Sequence, residues 1–318
     1  MKTLAVVNPH SANGATGRQW PELQAALRGA LGEFEVRFTA CSGNATTLVR
    51  EALGAGVDRI VAVGGDGTNN EVVNGFFDGD RPIRPEAELG FLPRGTGGDF
   101  RKTLAIGTAL EACLPVLRAG RARPCDVGRT TFVGPAGEPV QRHFLNITSF
   151  GLGGLVDDRV NHSTKAFGGK ASFFLGTLKA MLAYQNRHLR LRVDDGFDEP
   201  LTVQNVAVAN GQYFGGGMWV APEARIDDGL FDVVIMGDMS KWDLLTQGTR
   251  IYKGTHLTLP KVRHLRGRRV EATSDEEVLI DMDGEQPGRL PITLEIVPAA
   301  IRVLAPAPEV LKRSEVAP

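Results

Sequence analysis

Short apolar runs alternate with longer stretches of helical spacing through the first third of the chain. Leu4 to Val7 is continuously apolar and stopped by Asn8-Pro9, the pattern of a strand buried on both faces. His10 to Gly17 is small and polar, a loop. Between Arg18 and Leu31, Trp20, Leu23, Leu27 and Leu31 recur at helical spacing, with Pro21 near the start, where a helix tolerates it. Glu33 to Thr39 alternates Phe34, Val36 and Phe38, a second strand. Ala45 to Ala55 predicts a helix, Ile60 to Val63 and Leu89 to Leu92 two further strands, and Ala109 to Arg118 another helix. Such alternation predicts an α/β domain with a doubly wound parallel sheet. Ligands of these sheets bind beyond the carboxyl ends of the strands. Asn8-Pro9, Thr39, Gly64 to Asn70 and Gly95-Thr96 each follow directly on a predicted strand, so four small or polar bends are expected at one edge.

After Arg123-Pro124 the pattern becomes β-rich. Asp126 to Val133 and Arg142 to Thr148 predict strands around a turn at Gly134 to Pro139. Leu189, Leu191 and Val193 alternate with Arg190 and Arg192, a half-buried antiparallel strand. Leu201 to Ala209, Leu230 to Met236, Arg269 to Ala272, Val278 to Met282 and Ile292 to Val297 are further strand-like runs. The expected division is residues 1–124, an α/β domain, and 125–305, a β-rich, sandwich-like domain. The last strand, Ile301 to Leu304, is free to return to the first domain, and 306–318 reads as a fraying tail.

Composition narrows the function. The 318 residues are 42% hydrophobic with a net charge of −1, which argues against nucleic-acid binding through bulk positive charge. Cys41, Cys113 and Cys125 are odd in number and lack metal-type spacing, which fits a reduced, cytoplasmic setting. The histidines form no paired ligand motif. The start lacks a signal-peptide pattern, and no apolar run is long enough to cross a membrane as a helix.

The chemistry centres on Gly64-Gly65-Asp66-Gly67-Thr68-Asn69-Asn70-Glu71. Glycines between a strand and a helix start let an anion such as phosphate approach backbone N–H groups. Neither a P-loop nor a complete dinucleotide fingerprint is present. Asp66 would repel bare phosphate, so it makes sense beside a cation or a sugar hydroxyl. Thr68 and Glu71 have capping-box spacing. Further on, Arg225-Ile226-Asp227-Asp228-Gly229-Leu230 reads equally as a plain turn or a hard-cation site. Asp281, Asp283 and Glu285 crowd a strand end, where Glu285 reads either as part of an acidic turn or as a base for an attacking hydroxyl. Ala171 to Gln185 predicts an amphipathic helix, core-facing or lipid-contacting. The basic stretch Lys261, Arg263, Arg266, Arg268 and Arg269 reads as a solvated loop or an anionic-membrane contact, and Gly215-Gly216-Gly217 as a flexible loop.

In this order, Gly64-Gly65-Asp66-Gly67-Thr68, Gly95-Thr96-Gly97-Gly98-Asp99-Phe100, Asp228-Gly229-Leu230 and Asp283-Gly284-Glu285 resemble the soluble bacterial diacylglycerol kinases and related lipid kinases, which share a catalytic domain with sphingosine kinases. The likeness runs from Leu4 to about Pro306, and the glycine loop is shared with the wider NAD-kinase-like superfamily. It implies ATP with Mg²⁺ in a cleft between the domains. Contacts to ATP would come from Asn8, Pro9, His10, Ser11 and Ala12, from Thr39, from Gly64, Gly65, Asp66, Gly67, Thr68, Asn69 and Asn70, and from Thr96. It further implies that Asp66 serves the nucleotide–Mg²⁺ complex, that Asp228 with the carbonyls of Arg225 and Leu230 holds a structural Mg²⁺, and that Glu285 is the general base. Gly98 stands where the family usually has asparagine, which removes an amide beside the nucleotide. The implied partners are a lipid substrate at a membrane surface and no nucleic acid. The implied location is cytoplasmic, peripheral to the inner membrane, with a homodimer left open. The competing expectations are an NAD kinase-type phosphotransferase and a regulator that binds nucleotide or lipid without turnover.

Overall fold

A computed structural model describes residues 1–95, 97–119, 121–152 and 184–306. In the first lobe the elements are β1 (Thr3–Val7), α1 (Ala15–Arg18), α2 (Trp20–Leu31), β2 (Glu35–Phe38), α3 (Asn44–Gly54), β3 (Arg59–Gly64), α4 (Asp66–Gly75), β4 (Phe77–Asp78), β5 (Arg81–Pro82), β6 (Glu88–Pro93), α5 (Asp99–Thr103) and α6 (Leu110–Ala119). The parallel order is β2-β1-β3-β6, as the alternating pattern implies. β1 and β3 are buried at every position, so they carry no polar face.

The second lobe holds β7 (Ala122–Val133), β8 (Pro139–Phe144), β9 (Ile147–Gly151), β10 (Arg187–Val193), β11 (Phe197–Val203), β12 (Asn205–Ala209), β13 (Phe231–Met236), α7 (Lys241–Gln247), α8 (Thr249–Tyr252), β14 (Val262–Gly267), β15 (Arg269–Thr273), β16 (Leu279–Met282) and β17 (Glu285–Leu304). Its strand pairs are antiparallel. Phe144, Phe150, Phe231, Val206, Ile280 and Leu294 belong to its main core.

Two long strands belong to both lobes. β17 pairs antiparallel with β7 from Arg289↔Val133 to Leu304↔Ala122, with a register shift between Val297 and Ile301. Ile292 and Leu294 sit in the second core, while Ile301, Val303 and Leu304 sit in the first. Arg302 and Val303 lie parallel beside Glu88 and Leu89 of β6, so the final strand joins the first lobe's sheet.

Several local expectations change. The run Arg142 to Thr148 is broken into β8 and β9, because the N–H groups of Leu145, Asn146 and Ile147 turn onto the Asp283 carboxylate. Leu201 to Ala209 splits at Gln204, whose N–H leaves the ladder for the carbonyls of Met236 and Gly237. The capping box does not form. α4 starts at Asp66 with Gly65 as its cap, and Thr68 lies inside the helix. Glu71 instead accepts the N–H of Ala45 at 3.1 Å and caps the neighbouring α3. The basic stretch is mostly strand. Lys261 pairs with Asp243, Arg263 with Glu199, Arg266 with Asp228, and Arg269 with Glu271 and Glu295. The predicted helix at 171–185 falls, up to residue 183, outside the described residues; Tyr184 and Gln185 are not helical.

α4 is held close to α3 by the absence of a side chain at Gly75. A Cβ there would lie 2.5 Å from Val49 Cβ and 2.8 Å from the Thr46 carbonyl oxygen. Gly75→Ala is expected to destabilise the chain by about 1–3 kcal/mol, because backbone must shift to admit the methyl group. Urea denaturation should show a lower midpoint with an unchanged slope.

Candidate active site

The bend after β3 is built by contact between two glycine turns. A Cβ on Gly95 would lie 2.6 Å from Gly65 Cα, so only hydrogen at 95 allows this crossing. The Arg94 N–H donates to the Gly64 carbonyl at 2.7 Å, and the Gly98 N–H donates to Asp66 Oδ2 at 2.7 Å. The bend after β1 joins the same edge: Asn8 Nδ2 donates to Thr68 Oγ1 at 3.0 Å, and the His10 N–H donates to Asn8 Oδ1. Ser11 Oγ donates to the Asn8 carbonyl and lies 2.6 Å from Thr16 Oγ1. The Thr39 N–H continues the sheet by donating to the Val7 carbonyl. Thus Asn8, Pro9, His10, Ser11, Ala12, Thr39 and the turn Gly64 to Asn69 gather at the carboxyl edge of the parallel strands. Thr96 lies outside the described residues. Gly98, in the left-handed region at φ 63°, offers its backbone N–H to Asp66 where an asparagine would also have offered a side chain.

Asn70 has a different position from the one expected of a ligand contact. It is fully buried, and its amide N–H groups donate to Asp283 Oδ2 at 2.9 Å and to the His143 carbonyl at 3.1 Å. Its Oδ1 accepts from Arg142 at 2.6 Å. Asn70 therefore joins the lobes. Asp283 is the other half of that joint. Besides Asn70 it accepts the N–H groups of Leu145 at 2.9 Å, Asn146 at 3.0 Å and Ile147 at 3.1 Å. Burial pushes its carboxyl pKa up, while these donors favour the charged form.

This joint fixes Glu285, the first residue of β17. Glu285 Oε2 accepts from Arg142 at 2.8 Å, and its Oε1 lies 2.9 Å from the point where a Cβ on Gly67 would stand. A carboxylate of the second lobe thus rests against the glycine turn of the first. Beside it a cavity of about 70 Å³ is lined by Asp66, Asp99, Asp281 and Asp283 together with Asn69, Phe100, Asn146 and Phe214. Asp99 binds Lys102 at 2.6 Å and takes the Gly216 N–H at 2.7 Å, so the triple-glycine loop is tied to the cavity wall. Burial first, and then the charges of Asp99 and Asp283, push the Asp66 pKa from 3.8 up to about 6. A carboxylate in such a place gains from a cation beside it. Arg142 and Lys102 were not found from the sequence, and Asp99 was noted there only as part of a motif, with no role. Arg142 sits 143 positions from Glu285, and no local spacing signals that pair.

Arg225, Asp228 and Leu230, the expected Mg²⁺ ligands, share one turn ahead of β13. Asp228 Oδ2 is bound by Arg266, and its Oδ1 accepts the Leu230 N–H at 3.2 Å. Asp227 pairs with Arg123 at 2.9 Å. Asp126 receives the N–H groups of Gly229 and Ala299, both at 2.7 Å, and so ties this turn to the bend in β17. Arg266 and Arg123 are the counter-charges of this turn's two carboxylates.

Residues 2–130 match the diacylglycerol kinase catalytic domain family, and residues 146–305 match the YegS C-terminal NAD kinase beta sandwich-like domain family. A diacylglycerol kinase of Staphylococcus carnosus (strain TM300) is 27% identical over 302 residues, which cover 95% of this chain and 94% of that one. A solved diacylglycerol kinase of Bacillus anthracis str. Sterne is 21% identical with a TM-score of 0.71, covering 97% and 98% of the two chains. A yeast NADH kinase solved with NADH is 12% identical with a TM-score of 0.54, covering 98% and 86%. Both structures share the fold with this chain.

The raised Asp66 pKa makes stability depend on pH. Between about pH 4 and 6 the folded chain keeps a proton that the unfolded chain releases. The stability from this group is complete below the unfolded pKa and is lost as pH rises through about 6. Asp66→Asn is expected to raise the melting temperature of the ligand-free chain at pH 7, by about 2–4 °C for each kcal/mol regained. The gain should vanish near pH 4, as read by scanning calorimetry.

Proposed function

Since the chain belongs to the diacylglycerol kinase family of ATP-dependent lipid kinases, we propose that it transfers the γ-phosphoryl group of Mg-ATP to a lipid hydroxyl, with diacylglycerol the first candidate. The observation that carries this reading is the contact of Glu285 with Gly67 across the lobes. A nucleotide whose phosphates lie on the N–H groups of the Gly64 to Asn69 turn would present its terminal phosphoryl group to that carboxylate.

In the proposed reaction, the lipid hydroxyl oxygen attacks the γ-phosphorus. One P–O bond forms to the lipid, and the bond to the β–γ bridging oxygen breaks as ADP leaves. Glu285 takes the hydroxyl proton on Oε1, because Arg142 holds Oε2. Arg142 also places a guanidinium where negative charge is redistributed in the transition state. Asp66 is repelled by Asp99 and Asp283, so it is stabilised by the divalent cation that enters with ATP. The bends at Asn8 to Ala12 and at Thr39 position the rest of the nucleotide.

The test is labelled Mg-ATP offered with detergent-dispersed diacylglycerol, with other hydroxyl lipids and with NAD. Label in phosphatidate is the expected result. Label in NAD alone, or in no acceptor, would overturn the reading. Glu285→Gln and Asp66→Ala should each lower turnover by about 10²–10⁴-fold while the melting transition stays cooperative. The kcat/KM for ATP should fall as pH drops through about 6, where Asp66 gains its proton, and Asp66→Asn should lose that limb.

A further inference from the structure

We propose that helices α7 and α8 form the face by which this protein docks on an anionic bilayer surface. Large apolar side chains are rarely left in water without a reason when they gather in one place. Among the described residues, four large hydrophobic side chains are exposed, and two of them, Trp242 at 73% and Tyr252 at 59%, stand on this helix pair. The inner sides of both helices rest on one small core, through Leu244 and Ile251. Each helix keeps one side toward that core and carries one exposed aromatic ring, Trp242 on α7 and Tyr252 on α8. Trp and Tyr are the side chains that suit the bilayer interface, with an apolar body and a polar tip.

The charge of the segment fits the same occupant. Lys241, Arg250 and Lys253 have no carboxylate partner among the described residues. The one acid within the pair, Asp243, is already held by Lys261 at 2.8 Å and by Ser240. Asp238, just before α7, accepts from Asn186. The basic strands at 262–273 differ, since their arginines are largely spent on neighbouring acids. Free cations interleaved with interfacial aromatics give the two attractions that hold a protein on an anionic membrane.

The face is coupled to the cleft by a short chain of contacts. The Trp219 backbone N–H donates to the Ile251 carbonyl at 3.0 Å, and the Trp219 ring stacks on Tyr213 at 5.7 Å. Tyr213 leads into Phe214 and Gly215, which line the acidic cavity. Docking through α7 and α8 would bring the cavity mouth toward the layer that holds the acceptor. The surface rests on the lipid-kinase reading for its purpose, but its test needs no nucleotide, so the two ideas fail separately.

The test is co-sedimentation of the full chain with vesicles of phosphatidylcholine, alone or mixed with phosphatidylglycerol, without ATP. Binding is expected with the anionic vesicles and should weaken with added salt. A blue shift of tryptophan emission should accompany it and be lost in Trp242→Ala. The double variant Trp242→Ala/Tyr252→Ala is expected to bind about tenfold more weakly. Lys241→Gln/Arg250→Gln/Lys253→Gln should weaken binding about a hundredfold, at about 1 kcal/mol per cation. Both variants change exposed positions, so melting temperature and turnover of detergent-dispersed lipid should match wild type. Wild-type vesicle binding by both variants, or no vesicle binding by the wild type, would overturn the proposal. So would a stable dimer that the aromatic variant dissociates, since a second copy would then own the face. Vesicle binding as expected, with no acceptor ever phosphorylated, would instead strike the proposed function and leave the docking face standing.

Discussion

One buried carboxylate governs how the two lobes meet. Asp283 takes a side-chain N–H from Asn70 in the first lobe and backbone N–H groups from Leu145, Asn146 and Ile147 in the second. An ionised group in such a place is tolerable only when its oxygens are filled by donors. Those donors also break a strand in two and lock the glycine turn's helix against β8. The elbow that follows, with Asp283 and Gly284 both at positive φ, can then aim Glu285 in only one direction. The candidate base is thereby placed by a neighbour whose own charge is consumed in the joint.

The first lobe was largely legible from its sequence, because parallel strands buried on both faces are written as unbroken apolar runs. Leu4 to Val7 and Ile60 to Val63 could hardly be anything else. The gathering of Asn8, Thr39, Gly64 and Gly95 at one edge followed from a rule about topology, with no need for side-chain detail. What stayed hidden depends on pairing between distant positions. Asn70 reads as part of a ligand loop, and only the fold reveals that its partner is Asp283, 213 positions away. Glu71 shows capping-box spacing, yet it caps α3, because the glycine turn starts α4 before Thr68 can act. In the second lobe, the contact of Asp228 with Arg266, 38 positions away, is likewise invisible to local spacing.

Charge is managed differently in the two halves of the molecule. On the second lobe's outer strands, acids and arginines are matched across neighbouring strands, a pattern of modest energetic value at exposed positions. In the cleft, Asp66 is buried near Asp99 and Asp283, and the cost shows in its raised proton affinity.

The shared ribbon of β7 and β17 has a consequence for biogenesis. Among the described residues, the edge of β6 that faces away from β3 pairs with Arg302 and Val303, and Val303 also belongs to the first core. During translation, everything from β1 to α6 emerges long before that last parallel strand exists. The early lobe must wait with one margin of its sheet open until synthesis reaches those residues. Closure of that margin at the end links the maturity of the nucleotide-side lobe to that of the whole polypeptide, so a prematurely terminated product is left with an unfinished sheet.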